Sequence, residues 1–438
     1  MRKRLLIAGT AAVSAAAVLA FGGLFRHNSA AIASDALPAA VAQELQKGFA
    51  AGDTQAEASA LQTELRANPQ NVKATDTLAL AYLQRVRETG DASYYGQAEG
   101  LLHHALALQP HDLVATAGLG QLALSRHRFH EALGFGEQAQ RISPTTAGVY
   151  GVIGDAELEL GRYRQAFAAF DRMAAIKPGV ASYARVSYAR ELLGQTGPAA
   201  RAMELAVSSA VGEREASAWT HVQLGLLYLS TGRPREAERE ARLALGLFPG
   251  YYVALDAMGQ AQAALGHPGR AIAYERAAVA RVPLPQQVGF LGDLYRAAGE
   301  ERQARQQYAL IGVIQRLLAA NGVKNDLDIA LFNVDHGIRL PQALELARRG
   351  YTDRPSILGD DVLAWALARN GRCREALHYS ERALRLGTSD ALKFFHRGFI
   401  EACLGNRTSA RTWYGRSLAL NPHFSILWAP IARKGVSS

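Results

Sequence analysis

Cysteine and proline are scarce in this chain, with two and fifteen respectively among 438 residues, so a small disulfide-stapled framework is excluded. No Gly-x-Ser-x-Gly, His-Glu-x-x-His or phosphate-loop pattern occurs, which leaves no visible nucleophile, zinc pair or nucleotide cradle. Blocks of like charge are also missing. The formal charge of +9 includes Arg2, Lys3, Arg4 and Arg26, which precede every acid and leave +5 beyond them. Groups such as Arg126-His127-Arg128 and Arg348-Arg349 lie scattered among acids, so no cationic stripe follows a phosphate backbone and no nucleic-acid partner is expected. What remains is Ala, Leu, Arg and Gly spread evenly from end to end, the composition of one extended helical body.

The amino terminus reads as an address. Arg2-Lys3-Arg4 form a positive start, Leu5 to Phe25 carry no charge, and Ala31-Ile32-Ala33 offers a small-x-small cleavage pattern. Residues 1–33 are therefore expected to act as a signal peptide or a retained signal anchor, with the rest exported to the periplasm, envelope or exterior. Membrane contact is expected only through residues 5–25. No cysteine follows the apolar run, which excludes a lipoprotein; the two present are Cys373 and Cys403. In an exported chain these either form a disulfide or stay as two partly buried thiols.

From about residue 40 onward the chain repeats itself. A small residue is followed twelve positions later by Ala and twelve later again by Pro: Gly120, Ala132, Pro144; Gly154, Ala166, Pro178; Gly225, Ala237, Pro249; Gly259, Ala271, Pro283; Gly398, Ala410, Pro422. Pro110, Pro144 and Pro178 are spaced by 34, the length of two short helices and their turns. The small residues let paired helices approach closely, and Pro ends the second helix because it lacks a donor and clashes with the preceding turn. Gly161, Gly232, Gly266, Gly299, Gly371 and Gly405 fall where each first helix must end, in a position that favours positive φ.

Tyr150-x-x-Ile153-Gly154 with Ala166, Phe170 and Pro178, and Phe394 with Gly398, Ala410, Tyr414 and Pro422, resemble the tetratricopeptide repeat. The resemblance, to exported bacterial proteins of that type, implies an all-α, right-handed α-solenoid of tandem antiparallel helix pairs, about ten or eleven copies in all. The expected organisation is a signal peptide or signal anchor (1–33), an amino-terminal helical region with a first degenerate repeat (34–72), an array (73–310), an irregular helical junction (311–342), a second array (343–424), and a capping helix and tail (425–438). Glu88 to Tyr95 read as an extended turn inside an overlong repeat.

Binding is the function such an array implies. First helices are expected to line a concave groove, with Gln121, Asp155, Arg185, Trp219, Asp256, Gln260, Asp293, Arg296, Trp365, Phe395 and Phe399 as candidate contacts to a protein or peptide. For the aromatic residues among them, core packing is the competing reading. Weak chemical motifs have structural explanations: Gly118-x-Gly120-x-x-Ala123 sits inside a helix, His103-His104 and His127-x-x-His130 lack a third ligand, and Asp326-x-Asp328 suits a helix start. No cofactor or metal is expected. The leading expectation is a non-enzymatic exported scaffold, with an accessory of envelope polysaccharide assembly or secretion as the alternative and a cryptic enzyme third.

Overall fold

The computed structural model describes residues 54–437, so the address segment 1–33 lies outside the described residues. Twenty-two helices and no strand are described. A leading helix α1 (Thr54–Ala67) precedes ten pairs. These are α2 (Val72–Thr89) with α3 (Ser93–Leu108), α4 (Leu113–Ser125) with α5 (Phe129–Ile142), α6 (Ala147–Glu159) with α7 (Tyr163–Ile176), and α8 (Val180–Leu192) with α9 (Thr196–Ser209). There follow α10 (Arg214–Ser230) with α11 (Pro234–Leu247), α12 (Tyr252–Ala264) with α13 (Pro268–Arg281), and α14 (Pro285–Ala297) with α15 (Glu301–Ala320). The last three are α16 (Asp326–His336) with α17 (Leu340–Asp353), α18 (Ile357–Arg369) with α19 (Cys373–Ala383), and α20 (Ala391–Cys403) with α21 (Arg407–Leu420); α22 (Ala429–Ser437) closes the array. Each helix packs mainly on its neighbours in the chain, the arrangement of a tetratricopeptide-like solenoid.

Sequence pattern decides which helix of each pair lies inside. α4 reads LVATAGLGQLALS, has no polar face, and has all thirteen residues buried. α11 is amphipathic and buries only Ala237, Glu240, Ala241 and Ala244 of its fourteen residues. The even-numbered helices are thus enclosed while the odd-numbered ones give one face to solvent. Within pairs the small residues are required: a Cβ added at Gly225 would come within 3.2 Å of Ala237 O, and one at Gly398 within 2.7 Å of the Tyr414 ring. The six turn glycines all have φ between +73° and +85°.

Two stretches outside the regular repeat are largely helical. The extra length near residue 90 is helix: α2 runs for eighteen residues and the turn is only Gly90 to Ala92. Around 311–342, α15 lengthens to twenty residues and pairing resumes at once with α16 and α17. The apolar core is nevertheless interrupted there, one cluster spanning Ala184 to Leu294 and another Leu327 to Ala432. Ring and polar contacts bridge the step: Tyr308 lies 5.8 Å from Phe332, and His336 Nε2 lies 3.2 Å from Asp293 Oδ1.

The array also closes on itself. The turn after each early inner helix meets the segment that precedes the inner helix six pairs later. Gly90 faces Val282 before α14, and Lys324 N–H, before α16, donates to Arg126 O at 2.9 Å. Arg354, before α18, donates to Glu159 at 2.5 and 2.6 Å, and Ile357 N–H donates to Tyr163 Oη at 2.6 Å. Thr388, before α20, donates to Leu192 O at 2.5 Å, and Asn421, before α22, donates to Leu229 O at 2.9 Å. Five successive contacts at this spacing define a superhelix of six pairs per turn whose second turn rests on the first.

Candidate functional site

Six pairs per turn leave almost no room along the axis. Six inner helices spaced by about 9 Å form a ring of radius about 9 Å, and the side-chain-inclusive radius of a helix, about 5–6 Å, leaves roughly 3 Å. The side chains themselves fill that space. Of the expected groove residues, Gln121, Asp155, Arg185, Trp219, Gln260, Asp293, Trp365 and Phe395 are buried, while Asp256, Arg296 and Phe399 are half-buried.

Some charged groups in this interior pair with one another, and others are buried beside like charge. Arg185 forks onto Asp155 through Nε and Nη2 at 2.9 and 2.7 Å and donates from Nη1 to Ala181 O, a pair joining consecutive inner helices α6 and α8. Burial holds the Asp155 carboxyl above its usual range despite that guanidinium. Gln260 donates to both oxygens of Asp256, one turn away on α12. Glu275 on α13 is pushed well above the ordinary carboxyl range by burial, with Asp256 beside it adding to the shift. Trp219 is enclosed and its indole N–H has no partner among the described residues.

At the far end the interior is aromatic. Trp365 stacks on His396 at 4.3 Å and meets Phe399 and Trp428 edge-on at 5.0 and 5.2 Å, with Phe395 at 6.0 Å. The indole N–H groups of Trp365 and Trp428 both donate to Asp335 Oδ1, at 2.9 and 3.1 Å. Burial raises that carboxyl to about 6, although His396, His336 and the two indoles favour its charged form. His396 Nδ1 lies 3.1 Å from each oxygen of Asp361, and this pairing outweighs burial to lower the Asp361 value. His336 Nδ1 faces Phe332 O at 2.6 Å and so carries a proton, while its Nε2 faces Asp293; that second contact needs an imidazolium or a protonated carboxyl. Tyr308 donates to the same Asp293 oxygen at 2.5 Å. Trp365, Phe395 and Phe399 are therefore together, as the core that pins α22 to the last pairs.

A cavity of about 70 Å³ persists between the two turns, lined by Tyr188, Glu191, Lys393, Asp390, Asn421 and Phe424 among others. Lys393 donates to Asp390 at 2.5 Å. Burial raises the Glu191 carboxyl to about 7, helped by Asp390. A space of this size admits a few waters and no peptide.

The weak motifs take structural roles. Gly118 and Gly120 abut Leu102 and Val152 inside α4. Asp326 pairs with Arg349 at 3.1 Å. His127 and Asp328 approach to 3.8 Å across the seam, where His127 Nδ1 also contacts Lys324 O at 2.9 Å. No group of three or more His, Cys, Asp or Glu is placed to hold a metal among the described residues. Cys373 and Cys403 are bridged, with Cα atoms 6.1 Å apart, tying the start of α19 to the end of α20. Sequence reasoning missed Glu159, Arg354, Asp335 and Trp428, because their partners lie 30 to 195 residues away and no local pattern marks them.

No family model and no curated protein matches this chain. Solved structures do. A human IFIT1 dimer with PPP-AAAA is similar at 14% identity with a TM-score of 0.45, over 84% of this chain and 94% of that one. The Cut9 and Hcn1 hetero-tetramer of the APC/C gives 13% identity and 0.38, over 88% and 93%. TTC0263, a TPR protein of Thermus thermophilus, gives 25% identity and 0.36 over 40% of this chain and 91% of its own. These scores are low, and the architecture stands on the helix pairing described above.

Proposed function

We propose that this chain is a non-enzymatic scaffold that works outside the cytoplasm and engages a partner protein on its outer surface rather than along its axis. The observation that carries the reading is the filled interior: eight of the eleven expected groove side chains are buried, and the seam stacks one superhelical turn on the other. Solenoids of helix pairs recognise peptides where a concave face is open. Here the surfaces left to a partner are the odd-numbered helices and the two ends. Export is supported by residues 1–33 and by the Cys373–Cys403 bridge, which persists in an oxidising compartment.

Cross-linking of the full chain in envelope extracts should capture one protein in stoichiometric amount. Retention on purified glycan with no protein captured overturns the reading, as does turnover abolished by His127→Ala or Asp326→Ala. Arg185→Glu reports on folding and not on binding, because it places two carboxylates together in a buried site.

A further inference from the structure

Some arginines on or at the start of the outer helices are paired with acids nearby. Arg233 pairs with Glu236 at 3.0 Å, Arg242 with Glu238 at 2.5 Å, Arg372 with Glu375 at 2.6 Å, and Arg382 with Asp360 at 2.8 Å. The carboxy-terminal end is distinguished by its lack of acids in the sequence. From Ala402 to Ser438 there is no Asp or Glu, while Arg407, Arg411, Arg416, Arg433 and Lys434 all occur and all are exposed. None of the five has an ion pair among the described residues. Arg407 and Arg411 stand one turn apart on α21, a like-charge spacing that is unfavourable in an isolated helix.

Two of these cations are held in place, and Arg433 Nη2 donates to Pro422 O at 2.6 Å. The Arg416 guanidinium lies over the Trp413 ring at 4.2 Å and over Phe394 at 4.5 Å. Stacking fixes its plane and restrains its side chain, so less entropy is lost when its donor fork meets a planar anion. Arg397 also lies over Trp413, at 5.5 Å.

We infer that the exposed face of α21, with Arg433 and Lys434 of α22 beside it, is a docking surface for an acidic segment of a partner protein. This rests on the scaffold reading above and names the surface and the chemistry. Four of the five cations are Arg, which suits bidentate contact with Asp and Glu carboxylates. Two other polyanions fit less well. Single-stranded nucleic acid needs aromatic faces free for base stacking, and here arginines cover Trp413 and Phe394. An anionic membrane needs several apolar anchors beside the cations, and among the described residues Val436 is the one exposed large hydrophobic side chain on α21 and α22.

The test is fluorescence anisotropy of a labelled oligo-glutamate peptide with the full chain at physiological salt. Arg407→Gln with Arg411→Gln, both solvent-facing, should weaken binding at least about tenfold, whereas Arg270→Gln with Arg276→Gln, an equal loss of charge on α13, should leave it within about twofold. Arg416→Lys, which keeps the charge and removes the fork, should also weaken it. Equal loss from both double variants overturns the inference, as does tighter capture of single-stranded DNA or of phosphatidylglycerol vesicles. If oligo-glutamate fails to bind while one envelope protein is still cross-linked stoichiometrically, this surface is wrong and the scaffold reading survives.

Discussion

Turn glycines that look alike in sequence do unequal work in the structure. Gly161 and Gly371 end inner helices with φ of +73° and +77°, so either should lose about 1–2 kcal/mol on replacement by Ala from backbone strain alone. At Gly371 an added Cβ meets nothing within 4 Å, whereas at Gly161 it comes within 2.5 Å of Pro355 O in the overlying turn. Gly161→Ala should therefore cost about 1–3 kcal/mol more than Gly371→Ala in chemical denaturation, and equal costs would refute the seam at that point. A second residue-level expectation concerns pH. Burial first, and then the Asp112 carboxyl, raise Asp76 to about 8. Its folded-state value lies above the unfolded value of about 4, so the folded chain keeps a proton that the unfolded chain has released. Asp76 therefore makes stability fall as pH rises from about 4 to 8. Asp76→Asn should flatten that decline in denaturant midpoints measured across the window, and an unchanged slope would exclude this assignment.

Among the elements, the last pairs are the most heavily fastened. The bridge between Cys373 and Cys403 encloses a stretch of 30 residues that joins α19 to α20. Closing a loop of this length restricts the unfolded chain by about 3–4 kcal/mol. Reduction, or Cys403→Ser, should lower the unfolding midpoint and raise hydrogen exchange in α18 to α21 before α4 to α8. Uniform exchange along the chain would contradict that. The capping helix depends on a different fastening. Trp428 reaches Asp335 from 93 residues away and packs edge-on against Trp365, which gives the end of the array a buried polar anchor. The Ser425 hydroxyl accepts from the N–H groups of Leu427 and Trp428 and shapes the turn that delivers the ring.

For the molecule as a whole, stacked turns add contacts that a solenoid with neighbour-only packing does not have. The bidentate Glu159–Arg354 pair is the most enclosed of these, with side chains 1% and 5% exposed. Arg354→Ala leaves a buried carboxylate unpaired at a cost of about 3–5 kcal/mol. It should expand the particle in small-angle scattering and raise exchange at the end of α6 and the start of α18. Replacing both partners with apolar residues should restore much of the stability. Exchange confined to α18, with no change in size, would show that the seam does not hold the turns together.

The pair architecture was legible because it is written in short-range terms. Spacings of twelve between Gly, Ala and Pro place close-packing residues and helix stops within 34 residues, and glycines such as Gly161 and Gly371 mark inner-helix ends one by one. The concave face was legible only as a list of residues. Whether Trp365 and Arg185 face solvent or the interior depends on how many pairs complete a turn, and small rotations between pairs, summed over six of them, set that number. Tertiary structure decided it by bringing Glu159 to Arg354 and Leu192 to Thr388, contacts that span six repeats. Sequence alone determined the brick, because a helix pair is held by neighbours close along the chain. Only the folded whole determined that the axis is filled and that the outer helices and ends remain for a partner.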